Sequence, residues 1–164
     1  MFLDVETTGL DPVADRVWEF AAIRREVDGT ETRHRAFIHH DERRRETLPE
    51  PFRSDAARRF NREAALTRRE FGRLLGIVLA GRPRIVGACP WFDAGFLAEY
   101  VVKPTWSHRL IDVETLAAGK LGRIVNGLAD AAQALGIDHP AAHTAMGDAE
   151  TAMRVYDAVM GGQS

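Results

Sequence analysis

The 164-residue chain reads as an α/β fold, a mixed five-stranded sheet flanked by helices. Three observations lead there. The first 39 residues hold three short apolar or alternating runs separated by turn residues. From Thr67 onward, apolar residues recur at helical spacing. Those helical stretches alternate with two short runs of strand character, 84–88 and 109–112. Three antiparallel strands followed by alternating helix and strand units imply a sheet whose later strands run parallel.

The elements follow in order. Residues 2–5 form the first strand, broken by Thr7-Thr8-Gly9-Leu10-Asp11-Pro12, where Gly9 and Asp11-Pro12 punctuate a turn. Residues 16–27 place Val17, Phe20, Ala22 and Val27 at near-alternate positions and form the second strand. Asp28-Gly29 is a hairpin signal, so residues 32–39 return as a third, antiparallel strand. Residues 41–59 are rich in Arg, Glu and Pro with little periodicity. They read as a surface loop or partly helical insertion, either a solvated charged face or a substrate-facing flap. Thr67-Arg68-Arg69-Glu70 is a capping box that starts a helix, and Gly81 and Pro83 end it. Residues 84–88 are a short buried strand, and 90–102 a turn into a helix stopped before Pro104. Residues 109–112 are a strand and 113–121 a helix. Residues 127–135 form a helix ended by Gly136, and 143–160 the last helix, with Gly161-Gly162 beyond it.

One domain spanning 1–164 fits the length, and there is no internal repeat or linker. The longest apolar runs, such as 77–80, fall far short of the roughly 20 residues a bilayer-spanning helix needs. The start lacks the basic and apolar segments of a signal peptide, so a cytoplasmic location with no membrane partner is expected. Cys89 is the single cysteine, which excludes an internal disulfide and a cysteine zinc site. A formal net charge of −2 argues against a strongly basic nucleic-acid coat. It leaves room for an enzyme whose acids hold cations, because bound metal inverts the local charge. All but Lys103 and Lys120 of the 22 basic residues are arginines, through coding bias or for phosphate contact.

Asp4 and Glu6 are two apart on a strand, so their side chains share a face. Such a pair is costly unless a cation lies between its members. Asp93 falls at the start of a helix, and Asp148 one turn into the last helix. If the sheet brings the four together, they make an oxygen site suited to Mg²⁺ or Mn²⁺. His143, five positions before Asp148, is placed to take a proton from water there. Each piece alone is weak, since a lone Asp93 or His143 is more often a helix cap. The chain also repeats Asp4-Val5-Glu6-Thr7 as Asp112-Val113-Glu114-Thr115. The first copy runs into a Gly and Pro turn; the second runs into Leu116-Ala117-Ala118, a helix former. There Asp112 reads as a cap and Glu114 as a helix N-terminal acid favoured by the dipole.

Three segments carry a family likeness. Phe2-Leu3-Asp4-Val5-Glu6-Thr7-Thr8-Gly9-Leu10 is the first, and Gly87-Ala88-Cys89-Pro90-Trp91-Phe92-Asp93 followed by Ala94-Gly95-Phe96-Leu97 is the second. His143-Thr144-Ala145-Met146-Gly147-Asp148-Ala149 is the third. In this order and spacing they resemble the motifs of the DEDDh exonuclease superfamily, over essentially the whole chain. The resemblance implies an RNase H-like fold and a 3′→5′ exonuclease of single-stranded DNA or RNA 3′ ends. It implies two divalent ions, Mg²⁺ or Mn²⁺, with Asp4 touching both. Glu6 and Asp148 would complete the ion that activates water, Asp93 would support the site from its helix, and His143 would be the general base. Thr7, Thr8 and Leu10 would seat the terminal nucleotide, with Leu10 against the base. Histidine at 143 fits the "h" branch. Among its members, the chain resembles epsilon-type proofreading exonucleases of bacterial replicases and ribonuclease T; Thr7 stands where oligoribonucleases usually carry Met.

The second motif departs from the family pattern. Ala88-Cys89-Pro90 stands where His-Asn is common, which bears on placement of the sugar or strand end rather than on metal ligands. Cys89 reads as a packed thiol. Phe92 is core beside Asp93 or a stacking surface for a base, as Trp91 also can be. Two competing readings are a non-catalytic binding module and a proofreading subunit active only with a polymerase partner. The module predicts a substitution among Asp4, Glu6, Asp93, His143 and Asp148, and none is present. The subunit predicts a binding tail; the 16 residues after Asp148 favour a stand-alone enzyme or homodimer.

Overall fold

A computed structural model of the chain describes residues 1–161. Strands β1 (Phe2–Thr7), β2 (Val17–Arg25) and β3 (Glu31–Phe37) form an antiparallel meander. The first seven residues of β2 are buried, because this strand lies inside the sheet with cover on both faces. The hairpin into β3 closes at Asp28-Gly29, where Gly29 takes a φ of 86° that a side chain would resist. Strand β4 (Val86–Gly87) joins β1 in parallel, and β5 (Ile111–Asp112) extends the sheet beside it. The order β3-β2-β1-β4-β5 is the mixed, RNase H-like sheet the sequence predicts.

Alternation along β1 sends Leu3 and Val5 to one face and Phe2 to the other. Helices α2 (Arg68–Val78) and α3 (Pro90–Ala98) cover the first face, where Leu3, Val5 and Phe20 meet Phe71, Leu75 and Phe96. Helices α4 (Val113–Leu121), α5 (Leu128–Ala134) and α6 (Ala145–Met160) cover the second, where Phe2, Ile23 and Val86 meet Val113, Ala131 and Ala149. The capping box at the start of α2 has both reciprocal bonds, between Thr67 and Glu70. Asp112 caps α4, as its context indicates.

Several boundaries differ from the sequence reading. The strands expected over 84–88 and 109–112 are only two residues long. Beyond Phe2, β1 has no β4 partner, and the Val5 N–H goes to the Asp93 side chain instead. The helix expected over 90–102 ends at Ala98. The last helix starts at Ala145 rather than 143; Thr144 is its cap, and His143 precedes it at a φ of 63°. Gly162 of the expected stop lies outside the described residues.

The segment 41–59 is partly helical, with a short 3-10 helix at Glu42–Thr47 and α1 at Phe52–Arg59. Most of it is exposed, in keeping with a solvated charged face, while parts of it pack inward. Arg45 is 5% exposed, bonds the Ala56 carbonyl and Glu42, and lies over the Phe60 ring. Arg45, Arg53 and Arg58 meet acids or carbonyls within the segment, while Arg44 and Arg59 reach the Ala14 carbonyl and Glu19 outside it. Among the described residues, no helix is long and apolar enough to cross a membrane.

Candidate active site

Asp4 and Glu6 project from one face of β1, toward the first turn of α6, where Asp148 sits. One carboxylate oxygen from each of Asp4, Glu6 and Asp148 lies within 4.8 Å of the other two. Glycine at 147 helps bring α6 in. A Cβ there would overlap the Ala141 carbonyl oxygen, so the loop before α6 closes onto its first turn only because no side chain intervenes. The same loop brings His139, whose Nε2 hydrogen-bonds Asp148 Oδ1 at 2.5 Å.

Asp93 is held apart from this triad. It is 2% exposed, and its Oδ1 accepts the Val5 N–H at 3.0 Å. Helix α3 begins with Pro90 at its first turn, after Cys89 in a left-handed conformation at φ 49°. Gly87 permits the close approach behind it, since a Cβ there would stand 2.9 Å from the Leu3 carbonyl oxygen. Asp93 thereby reaches the base of the site beside Asp4.

The acids perturb one another. Burial pushes Glu6 up to about 8, with Asp148 adding to the rise and Arg59 opposing it. Burial, and then the charges of Asp93, Asp148 and Glu6, hold Asp4 well above the usual carboxylate range. Burial also raises Asp93 and Asp148, against the Val5 N–H in one case and the His139 bond in the other. Crowded carboxylates that resist ionising are what a bound cation relieves. Three oxygen donors within reach of one point suit a hard divalent ion. Asp4, Glu6 and Asp148 therefore fit such an ion, with Asp148 Oδ2 left available by the His139 contact.

Beside the triad is a cleft of about 460 Å³ lined by Glu6, Thr7, Thr8, Leu10, Phe92 and His143. Thr7 Oγ1 donates to the Gly9 carbonyl at 2.6 Å, and Thr8 Oγ1 accepts the Arg16 N–H at 3.0 Å. Both hydroxyls hold the turn that presents Leu10, which is 83% exposed at the cleft mouth. Phe92 packs on Phe96 at 4.8 Å between ring centres and also faces the cleft, so it is core and lining at once. Trp91 is exposed and lies outside the lining. The opposite wall comes from the 41–59 segment, through Leu48, Pro49, Phe52 and Arg59. A second cavity, of about 560 Å³, opens among Met1, Arg24, Arg84 and Tyr156; Glu26 is the one acid in its lining, so it offers no cation site.

His143 lines the cleft with its ring edge-on to Phe52, 4.8 Å between centres, and its carbonyl accepts from Arg59 Nη2 at 2.6 Å. Sequence reasoning missed His139, Phe52 and Arg59. The spacing of His139, four before His143, is the one local signal available for it. Arg59 is one arginine among many in a segment without periodicity.

Comparisons with known proteins bear on the family and the fold. The family model described as RNase_T, Exonuclease, matches residues 1–156. E. coli exonuclease I in complex with a dT13 oligonucleotide superposes with a TM-score of 0.69 at 21% identity, covering 95% of this chain and 40% of that one. The zinc ion-bound form of the E. coli ExoI–ssDNA complex gives a TM-score of 0.76 at 21% identity, covering 99% and 40%. This chain thus spans about two fifths of exonuclease I, and at such identity the likeness speaks for the fold. No curated protein matches the sequence. The match to the family model runs from the strand bearing Asp4 and Glu6 through the helix bearing Asp148, and the chain accordingly belongs to the RNase_T exonuclease family.

Proposed function

We propose that the chain is a DEDDh-type 3′→5′ exonuclease that removes nucleotides from single-stranded 3′ ends of DNA or RNA, as one domain over 1–164 in the cytoplasm. The observation that carries this reading is the Asp4, Glu6 and Asp148 triad, within 4.8 Å, whose member Glu6 lines a cleft that also holds His143. Asp4, Glu6 and Asp148 would hold two Mg²⁺ or Mn²⁺ ions, and Asp93 supports the site by holding the Val5 N–H of β1. Ions in such a site stabilise charge on the attacking and leaving oxygens and make water a stronger acid. His143 takes the proton from the attacking water. The turn held by Thr7 and Thr8 seats the terminal sugar and phosphate, and Leu10 and Phe92 meet the base. Apolar walls of Leu48, Pro49 and Phe92 favour stacking over reading of base edges, which suits removal of any nucleotide. The single-stranded DNA complexes of exonuclease I support a single-stranded substrate.

The test is a gel assay on 5′-labelled single-stranded DNA and RNA oligonucleotides, with Mg²⁺, with Mn²⁺ and with EDTA. The expected result is a metal-dependent ladder that shortens from the 3′ end. A ladder that persists in EDTA, or no degradation in any condition, would overturn the proposal. The relative rates on DNA and RNA report the sugar preference.

A further inference from the structure

We propose that Arg59 is a positioning residue that ties helix α1 to the backbone of His143 and so holds the imidazole at the cleft. This rests on the reading of His143 as the base. Arg59 is the last residue of α1, and its guanidinium meets three separate parts of the chain. Its Nε bonds Asp55 on its own helix, its Nη1 bonds Glu19 on β2, and its Nη2 donates to the His143 carbonyl at 2.6 Å. Its flat face lies 4.9 Å from the centre of the Trp18 ring.

The anchor is built into the sheet. Glu19 is fully buried and stands opposite Glu6 in the register of β1 and β2. Its other oxygen takes Arg35 Nε at 2.8 Å. A buried carboxylate is tolerated where it is paired and hydrogen-bonded, and here two arginines pair it. Burial works against the charge of Arg59, but Glu19 and Asp55 outweigh it.

His143 needs holding. It adopts a φ of 63°, a left-handed conformation in which a residue with a side chain persists only when its surroundings enforce it. Among the described residues, no hydrogen bond fixes its ring nitrogens. Arg59 on its carbonyl and Phe52 edge-on to its ring, the last and first residues of α1, hold it together with its backbone contact to the Asp148 carboxylate. The 41–59 segment therefore does more than close the cleft wall. It orients the base, and a misplaced base loses rate without losing substrate affinity.

A lysine at 59 keeps a positive charge beside Glu19 but lacks the planar fork that reaches Glu19 and the His143 carbonyl together. Arg59→Ala strips a buried carboxylate of one partner and mixes folding with positioning; Arg59→Lys separates the two. The experiment measures kcat and KM on a single-stranded DNA oligonucleotide with Mn²⁺ for wild type, R59K, H143A and the double variant. Thermal melting and Mn²⁺ calorimetry are run alongside. R59K should lower kcat about 10- to 100-fold with KM, Mn²⁺ affinity and melting temperature kept. In the H143A background, R59K should change nothing further, because Arg59 acts through His143. An unchanged kcat in R59K, or an equal loss in both backgrounds, overturns the positioning role alone. Wild-type turnover by H143A overturns the reading of the base, and this inference with it.

Discussion

Asp4-Val5-Glu6-Thr7 and Asp112-Val113-Glu114-Thr115 have the same four residues in the same order, in different surroundings. The first copy lies wholly within β1, paired along its length with β2. Its backbone stays extended, so both acids leave one face and meet Asp148 from α6. The second copy straddles the junction of β5 and α4. There Asp112 Oδ1 accepts the Glu114 N–H at 3.1 Å, and its Oδ2 accepts the Thr115 hydroxyl at 2.6 Å. The corresponding Thr7 hydroxyl turns instead to the Gly9 carbonyl. A helix start has N–H groups that need acceptors, and the nearest carboxylate is taken up by them. An extended strand does not turn its own carboxylates back onto its N–H groups; here the Val5 N–H is met by Asp93 from α3, and Asp4 and Glu6 stay free for a ligand. Burial raises both Glu6 and Glu114, yet Asp148 is the next contributor at Glu6, whereas at Glu114 it is only the adjacent Asp112.

The largest test of this contrast is paired. Asp4→Ala should abolish 3′ shortening and Mn²⁺ binding, while Asp112→Ala keeps both, by the gel assay and by calorimetry. Equal loss in the two variants would break the distinction between the copies. Next comes His143→Ala, which should lower kcat by about 10²–10⁴-fold with Mn²⁺ binding retained. Loss of metal binding there would recast His143 as a ligand beside the first copy.

A smaller effect lies in the pH dependence of the metal-free protein. Glu6 sits at about 8 in the folded chain against an ordinary 4.5. The folded state therefore holds an extra proton between those values, and its stability should fall as pH rises through that window. Melting in EDTA from pH 5 to 8 measures the slope. Excess Mn²⁺ should flatten it, Glu6→Gln should reduce it while Asp4, Asp93 and Asp148, raised likewise, keep the rest, and Glu114→Gln should leave most of it. A slope untouched by Glu6→Gln would place its source elsewhere. The smallest expected change is in the stability of Asp112→Ala, a loss of about 1 kcal/mol for a missing N-cap, read by denaturant unfolding. A loss no larger than that of an exposed substitution would mean the cap is dispensable.

How much of this was legible follows the range of the bonds. The capping box at Thr67 and the Asp112 cap close over two or three residues, so residue spacing records them. The shared face of Asp4 and Glu6 follows from strand periodicity alone. The short β4 and β5 were read too long, because their length depends on where a neighbour stops pairing. Its place at a helix start after a strand groups Asp93 with the other acids; only the fold shows its carboxylate on the Val5 N–H, 88 positions away.

By itself, then, the sequence determined the three-strand meander, the alternation of helices and strands after it, and the face that bears the acids. Tertiary structure alone decided that Asp4, Glu6 and Asp148 form the close triad, that His139 occupies one oxygen of Asp148, and that Arg59 reaches the His143 carbonyl. Local bonds close within a turn and leave a mark in the order of residues. Contacts such as that of Arg59 with a carbonyl 84 positions away arise from how helices and loops settle on a sheet, and no spacing along the chain encodes them.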